Sequence, residues 1–180
     1  ANFISHEEFE EIRSEVISQI DKDAEWAEKQ KHPDPETALN HIYSTSPFPQ
    51  EKDYTSISDK IVMVDAINHA LSEEMKLNGK MVIYGQDIAD PKGGVFTATK
   101  GLTDKFSKKR VFNSPLAESS IIGTAVGMAV AGFKPVVEIQ FGDYIWTSMM
   151  QIRNEVVMMR YRSNNAWTCP MVIRVPVGGY

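Results

Sequence analysis

Over the last two thirds of the chain, short apolar runs alternate with longer segments of helical periodicity. The apolar runs predict four β-strands, at Met81–Tyr84, Arg110–Asn113, Lys134–Gln140 and Met171–Val175. The segments around them predict four helices: one capped by Asp59 and ended by Asn78 and Gly79, then Thr97–Phe106, Glu118–Gly132 and Asp143–Arg162. Strands that alternate with helices in this way indicate an α/β fold, with a mainly parallel sheet and helices on both faces.

The chain before this alternation differs in charge and in pattern. Residues 1–59 hold 14 acidic and 5 basic residues, whereas residues 60–180 hold 10 acidic and 14 basic ones. Apolar residues at three- and four-residue steps after Ser5 predict one amphipathic helix of roughly 24 residues. Prolines end it, and a short second helix over Pro35–Tyr43 is expected to follow. We therefore predict an N-terminal helical arm over residues 1–44, a linker over 45–58 and a domain over 59–180.

Composition excludes several classes of protein. No apolar run reaches the roughly 18–20 residues of a membrane span. The single Cys169 excludes an internal disulfide and a multi-cysteine metal site. The basic cluster of Lys105, Lys108, Lys109 and Arg110 is short and has no interleaved aromatic residue other than Phe106, so we interpret it as a solvated surface turn and not as a nucleic-acid site. A reducing cytoplasm is the simplest compartment, although an organelle matrix also fits.

Polar residues follow the predicted strands, where open parallel sheets bind ligands. Glu118 stands out among them because it begins a helix whose residues 121–132 carry no charge. Taken alone, Glu118 is a first-turn acid favoured by the helix dipole. The uncharged run predicts a helix buried on every side. Gly123, Gly127 and Ala131 form a smooth strip, which suits either a second helix at close approach or ordinary packing within the domain.

Several motifs together resemble the beta subunit of branched-chain 2-oxo-acid dehydrogenases. They are Arg110-Val-Phe-Asn-Ser-Pro-Leu-Ala-Glu118, Gly123-Thr-Ala-Val-Gly127, Pro135-Val-Val-Glu-Ile-Gln-Phe-Gly-Asp-Tyr144 and Ile173-Arg-Val-Pro-Val-Gly-Gly179. The resemblance covers roughly residues 60–180, and the pyruvate and acetoin dehydrogenase beta subunits and, more distantly, transketolase share it. Residues 8–43 resemble the end of the alpha subunit of the same enzyme. Together the two parts suggest a single chain in which alpha and beta regions are fused.

The resemblance implies a transketolase-like pyrimidine-binding domain that shares thiamine diphosphate with an alpha half. Glu118 would be the catalytic carboxyl group that hydrogen-bonds the aminopyrimidine ring of the cofactor. Leu116, Gln140 and Tyr144 match positions that line the pyrimidine pocket. Relatives often carry a glutamate where this chain has Gln86, an acid assigned to a proton path between two active sites. Gln86 cannot ionise, which puts such a path in doubt here.

Metal ions and partners also follow from the resemblance. The chain has no Gly-Asp-Gly motif, so Mg²⁺ is expected on the absent alpha half. A monovalent cation such as K⁺ would bind backbone carbonyls at Pro170, Val172 and Ile173. The expected partners are the alpha half, a second beta half and a lipoyl-bearing acyltransferase, with no nucleic acid and no membrane.

The activity implied is oxidative decarboxylation of branched-chain 2-oxo acids with acyl transfer to lipoyl. By itself, this chain is expected to be inactive. Two alternatives stay open. One is a pyruvate- or acetoin-type dehydrogenase. The other is a non-catalytic α/β interaction module that docks through its acidic helix, residues 7–29, and in which Glu118 is replaceable.

Overall fold

The computed structural model of the protein describes residues 3–47 and 59–178. Most of the predicted linker, residues 45–58, lies outside the described residues. The chain divides into two compact units, Ala1–Leu39 and Asn40–Tyr180. Each unit is described by itself below.

The N-terminal unit consists mainly of helix α1, His6–Glu28, as the apolar periodicity predicted. A capping box begins it: the Glu8 N–H donates to Ser5 Oγ at 3.1 Å, and the Ser5 N–H donates to Glu8 Oε2 at 2.7 Å. The hydrogen bond from the Ser5 backbone N–H, and after it one from the Ser5 side chain, lowers the pKa of the Glu8 carboxyl. The prediction of a second helix over Pro35–Tyr43 was wrong, since only a 3-10 turn forms there, over Pro35–Thr37. Leu39 is 78% exposed, so a longer helix would have little apolar surface to bury.

The C-terminal unit is built on a four-stranded, all-parallel sheet in the order β2-β1-β3-β4. Its strands are β1 Met81–Gly85, β2 Val111–Asn113, β3 Lys134–Glu138 and β4 Val172–Arg174. All four lie where the apolar runs predicted them, with ends that differ by one or two residues. The parallel arrangement confirms the predicted fold class.

The helices of this unit are α2 Met63–Leu77, α3 Leu102–Phe106, α4 Glu118–Val130, α5 Met149–Gln151 and α6 Met159–Arg162. The prediction that Asp59 caps α2 was wrong, because the helix begins after Val62. The predicted helix over Thr97–Phe106 is also shorter than expected. Phe96 and Thr97 have positive φ angles of 55° and 62°, and Gly101 has a φ of 78°. This left-handed backbone cannot continue a right-handed helix, so α3 begins only at Leu102.

The predicted helix over Asp143–Arg162 is broken into shorter pieces. A 3-10 segment, Gly142–Ser148, is followed by α5, a π-helical turn at Ile152–Val156 and then α6. Within the first piece, the Thr147 hydroxyl donates to the carbonyl of Tyr144 at 2.8 Å. A side chain that bonds its own turn in this way competes with the regular helical ladder.

Two apolar clusters cover the two faces of the sheet. Met81 and Ile83 of β1 pack on one face, in a cluster completed by Met75, Ile88, Leu102, Val111 and Val136. Val82 and Tyr84 pack on the other face, in a cluster completed by Ile121, Ile122, Ala125, Val137 and Ile139. Successive side chains of a strand point to opposite faces. Helices therefore cover both sides of the sheet, as predicted.

Within this chain one face of helix α4 is buried and the other is exposed, so its burial on every side stays a prediction that requires a partner. Ile121, Ile122, Ala125, Val126 and Ala129 face the sheet. Gly123 and Gly127 are exposed on the other face. A Cβ added at Gly127 would meet no atom of the described residues within 4 Å, and one at Gly123 would meet only Gln151 Cγ, at 3.7 Å. Packing within this domain therefore does not explain the glycine strip.

The basic cluster before β2 is more than a solvated turn. The Arg110 guanidinium donates to the carbonyls of Met75, Asn78 and Met81 at 2.7–3.0 Å. It thereby satisfies carbonyl groups near the end of α2 and the start of β1. Among the helices of the described residues, none combines the length and the apolar character required to cross a membrane.

Candidate active site at the strand ends

Glu118 lies where the carboxyl ends of the strands meet the N-terminus of α4. Its carboxyl group contacts side chains from two other elements. Gln86, directly after β1, donates from Nε2 to Glu118 Oε1 at 3.3 Å. Thr147, in the 3-10 segment after β3, has its hydroxyl oxygen 3.3 Å from Glu118 Oε2. The side chain of Gln86 is buried, whereas Glu118 is half-buried and Thr147 is exposed.

A second cluster of polar side chains, formed by Gln140, Asp87 and Lys92, lies at the same end of the sheet as Glu118. Gln140 Nε2 is 3.5 Å from Asp87 Oδ2, and Lys92 forms an ion pair with the same oxygen at 2.9 Å. Asp87 adjoins Gln86 in sequence. The structure thus brings Gln140 to the strand ends, as predicted, and engages its amide with Asp87.

Two of the predicted pocket residues present apolar surface to solvent in this chain. Leu116, two residues before Glu118, is 81% exposed. Tyr144 is 45% exposed, and its ring packs edge-on against Phe141 with centroids 5.7 Å apart. Its backbone carbonyl accepts from Thr147, which links Tyr144 to the neighbourhood of Glu118. Leu116 and Tyr144 thus leave apolar side-chain surface exposed on the two segments that flank Glu118 and Thr147.

A buried ion pair supports this end of the sheet. Glu138 of β3 is 2% exposed and pairs with Arg174, its neighbour in the β3–β4 register. The Val95 N–H donates to Glu138 Oε1 at 2.9 Å, so the same carboxylate fastens the loop that follows β1. Burial lowers the pKa of the Arg174 guanidinium.

Close backbone contacts fasten that loop further. Gly94 has a φ of 74°, and a Cβ there would lie 2.9 Å from Thr99 Oγ1. A Cβ at Gly85, the last residue of β1, would lie 2.5 Å from the Glu138 carbonyl oxygen. Only glycine fits at these two positions.

An open cavity of about 280 Å³ adjoins the same edge. Phe96 and Phe141 form apolar parts of its lining, and residues 176–178, which follow β4, form another part. The segment that follows β4 thus borders the same end of the sheet as the segments that follow β1 and β3.

The three residues predicted to bind a monovalent cation lie elsewhere. Val172 and Ile173 pair with Val136 and Val137 of β3. Pro170 and Val172 line a cavity of about 400 Å³ that Lys134, the first residue of β3, also borders. This places them toward the amino ends of the strands, and the cation site stays a prediction. Among the described residues, no group of three or more His, Cys, Asp or Glu side chains is arranged to hold a metal ion.

Thr147 and the contact between Gln86 and Glu118 were not predicted from the sequence. The segment of Thr147 was predicted as a regular helix, in which its side chain would have had no special role. A threonine and a serine together after the aromatic Tyr144-Ile-Trp146 are a signal of a local turn that competes with a helix. The ion pair of Glu138 and Arg174 was also missed, although both are charged residues within apolar strands.

Comparison with known proteins agrees with this geometry. Residues 59–180 match the family model of the transketolase pyrimidine-binding domain. The 2-oxoisovalerate dehydrogenase subunit beta of Bacillus subtilis is 47% identical over 116 residues, which is 64% of this chain and 35% of that protein. The pyruvate dehydrogenase E1 component subunit beta of the same organism is 43% identical over 120 residues, 67% of this chain and 37% of that protein.

A third relative, the 2-oxoisovalerate dehydrogenase subunit beta of Pseudomonas aeruginosa, is 40% identical over 131 residues, which is 73% of this chain and 37% of that protein. The chain therefore spans little more than a third of the length of these relatives.

Proposed function

Since the chain belongs to the family of the transketolase pyrimidine-binding domain, we propose that it supplies the pyrimidine side of a thiamine diphosphate site in a 2-oxo-acid dehydrogenase. The observation that carries the proposal is the carboxyl group of Glu118 at the strand ends, held between Gln86 and Thr147. The similarity to E1 beta subunits supports the same class of enzyme. The reaction is the oxidative decarboxylation of a 2-oxo acid, with transfer of the acyl group to a lipoyl arm.

The residues of this chain bind and orient the aminopyrimidine part of the cofactor. Thiamine diphosphate, when bound, supplies the centre that stabilises the electrons left by decarboxylation. Glu118 hydrogen-bonds the ring nitrogen and holds or releases a proton there. Tyr144 lies against the ring face, a contact worth about 0.5–1.5 kcal/mol beyond area burial. Leu116 and Gln140 complete the pocket wall.

The other groups of the active site come from partners. We assign Mg²⁺ and the diphosphate to an alpha half, as the resemblance implies for a chain without a Gly-Asp-Gly motif. K⁺ at the carbonyls of Pro170, Val172 and Ile173 remains part of the proposal. The exposed strip of α4 at Gly123 and Gly127 is the proposed contact with a second beta half, because small residues allow two helices to approach closely. A lipoyl-bearing acyltransferase takes the acyl product.

The substrate that we propose is a branched-chain 2-oxo acid. The relative from Bacillus subtilis with 47% identity is a 2-oxoisovalerate dehydrogenase subunit. A pyruvate-type enzyme is the second candidate, since a pyruvate dehydrogenase subunit is 43% identical over a similar span. Rates measured with 2-oxoisovalerate and with pyruvate on the full-length protein separate the two.

The central test is Glu118→Gln in the full-length protein assembled with its partner half. The amide cannot exchange a proton with the ring nitrogen, so we expect decarboxylation to fall by roughly 10²–10⁴-fold. The matched control is Glu73→Gln, the same chemical change at an exposed position of α2, which should leave the rate unchanged. A Glu118→Gln enzyme with the rate of the unmodified protein would overturn the proposal and favour the non-catalytic module.

A further inference from the structure

The carboxyl group of Glu118 is contacted at both oxygens by neutral polar side chains. Gln86 approaches Oε1 with its amide nitrogen at 3.3 Å, and Thr147 approaches Oε2 with its hydroxyl at 3.3 Å. Gln86 is 7% exposed and directly follows β1, so its side chain has little freedom to turn away. Ser119 Oγ donates to the Thr147 carbonyl at 2.5 Å, which ties the backbone of Thr147 to the first turn of α4.

The Thr147 hydroxyl has one proton and two neighbouring acceptors. It lies 2.8 Å from the carbonyl oxygen of Tyr144, which can only accept, and 3.3 Å from Glu118 Oε2. The hydroxyl donates to one of the two at a time, and the side chain lies between them in either case. Its contact with Oε2 therefore links the carboxyl group of Glu118 to the 3-10 segment that follows β3.

The other carboxyl oxygen faces an amide. The amide nitrogen of Gln86 can only donate, so Oε1 must accept. The two contacts therefore hold the two carboxyl oxygens from two different loops. An amide suits this role better than a carboxylate, since an ionised glutamate at position 86 would repel the Glu118 carboxylate and could not donate to Oε1.

We propose that Gln86 and Thr147 are positioning residues that fix the carboxyl group of Glu118 by contacting both of its oxygens. This inference rests on the proposed function and deepens it. Gln86 holds Oε1, Thr147 holds Oε2, and the carboxyl group meets the aminopyrimidine in a single orientation. Preorganisation of this kind orients the carboxyl group before the ligand arrives.

The test uses the full-length protein assembled with its partner half and loaded with thiamine diphosphate and Mg²⁺. Thr147→Val removes the hydroxyl and keeps the shape of the side chain, and Thr147→Ser restores the hydroxyl. Gln86→Met removes the amide at similar length. The matched control is Thr168→Val, at an exposed threonine remote in sequence from these loops. Two readouts are taken: the near-ultraviolet circular-dichroism band of the bound aminopyrimidine, which reports its protonation state, and kcat separately from KM.

We expect Thr147→Val and Gln86→Met each to lower the circular-dichroism band and kcat about three- to tenfold, the effect of losing one hydrogen bond. KM for the 2-oxo acid should stay within about twofold, because neither residue is proposed to touch it. Thr147→Ser should recover most of the loss, and Thr168→Val should match the unmodified protein.

The outcomes distinguish a failure of this inference from a failure of the proposed function on which it rests. If Glu118→Gln abolishes the band while Thr147→Val and Gln86→Met leave it intact, the function stands and the positioning role is refuted. If Glu118→Gln itself leaves the band and the rate unchanged, the proposed function fails. Thr147 is exposed, so Thr147→Val tests the positioning role even if Gln86→Met impairs folding.

Discussion

Replacing Arg174 by methionine would leave a buried carboxylate without its counter-ion. Glu138 is 2% exposed, and the side chain of Arg174 is 18% exposed. Methionine keeps most of the length of the arginine stem and removes only the charged head. The Val95 N–H would still donate to Glu138 Oε1, but the full negative charge would remain in an apolar part of the sheet.

The size of the effect follows from this burial. Removing one partner of a buried ion pair costs about 3–5 kcal/mol. Arg174 retains some contact with solvent, so we take the lower end, about 3 kcal/mol of unfolding free energy. For a unit of this size, that loss corresponds to a fall in Tm of about 10 °C.

Urea unfolding followed by far-ultraviolet circular dichroism measures the loss directly. The double variant Glu138→Gln/Arg174→Met keeps an acceptor for Val95 and removes the stranded charge, so it should recover at least half of the lost stability. Arg153→Met is the control at an exposed arginine and should change stability by less than about 0.5 kcal/mol. The reasoning is refuted if Arg174→Met costs under about 1 kcal/mol, well below the range for a broken buried pair, or if the double variant is no more stable than the single one.

Two further predictions concern α4 and its contact with β1. Gly127→Ala should stabilise the isolated chain by about 0.5–1 kcal/mol in urea unfolding, because the new methyl group meets open space. In sedimentation equilibrium of the full-length protein it should weaken association, because the added methyl group overpacks the close contact; unchanged association would contradict the proposed interface. Tyr84→Phe should cost about 1 kcal/mol at neutral pH, because the hydroxyl bonds Ile121 and Thr124. Burial raises the pKa of Tyr84 above 10.0, so stability should decline as the pH rises past 10.0, and less steeply in Tyr84→Phe; equal slopes would contradict this.

The periodicity of the sequence predicted the sheet well because its two central strands, β1 and β3, are mostly buried on both faces. Runs such as Met81–Tyr84 are apolar throughout, which is the pattern expected of a parallel strand that is covered on both faces. The position of Glu118 followed from the same reasoning, since it comes directly after a strand and starts a helix. The alternation of strands and helices therefore predicted both the fold class and the edge of the sheet at which the candidate site lies.

The features that could not be predicted depend on contacts rather than on periodicity. The segment around Thr147 has helical composition, but the bond of this residue to the Tyr144 carbonyl turns the chain differently. Helix α4 carries no charge over residues 121–130, but an apolar pattern alone does not say which partner covers the face that is exposed within this chain. Propensity reports local preference, and these features are decided by neighbours distant in sequence.

The pairing of β1 with β3 sets the distance on which the candidate chemistry depends. Gly85 lies opposite Glu138, and Gln86 follows within reach of Glu118. A slip of two residues is the smallest that returns the same side chains to the same faces, and it would carry Gln86 roughly 7 Å along the sheet. A misregistered chain could therefore bury its apolar residues and still separate the amide from the acid. Correct strand alignment is therefore a condition for the contact between Gln86 and Glu118.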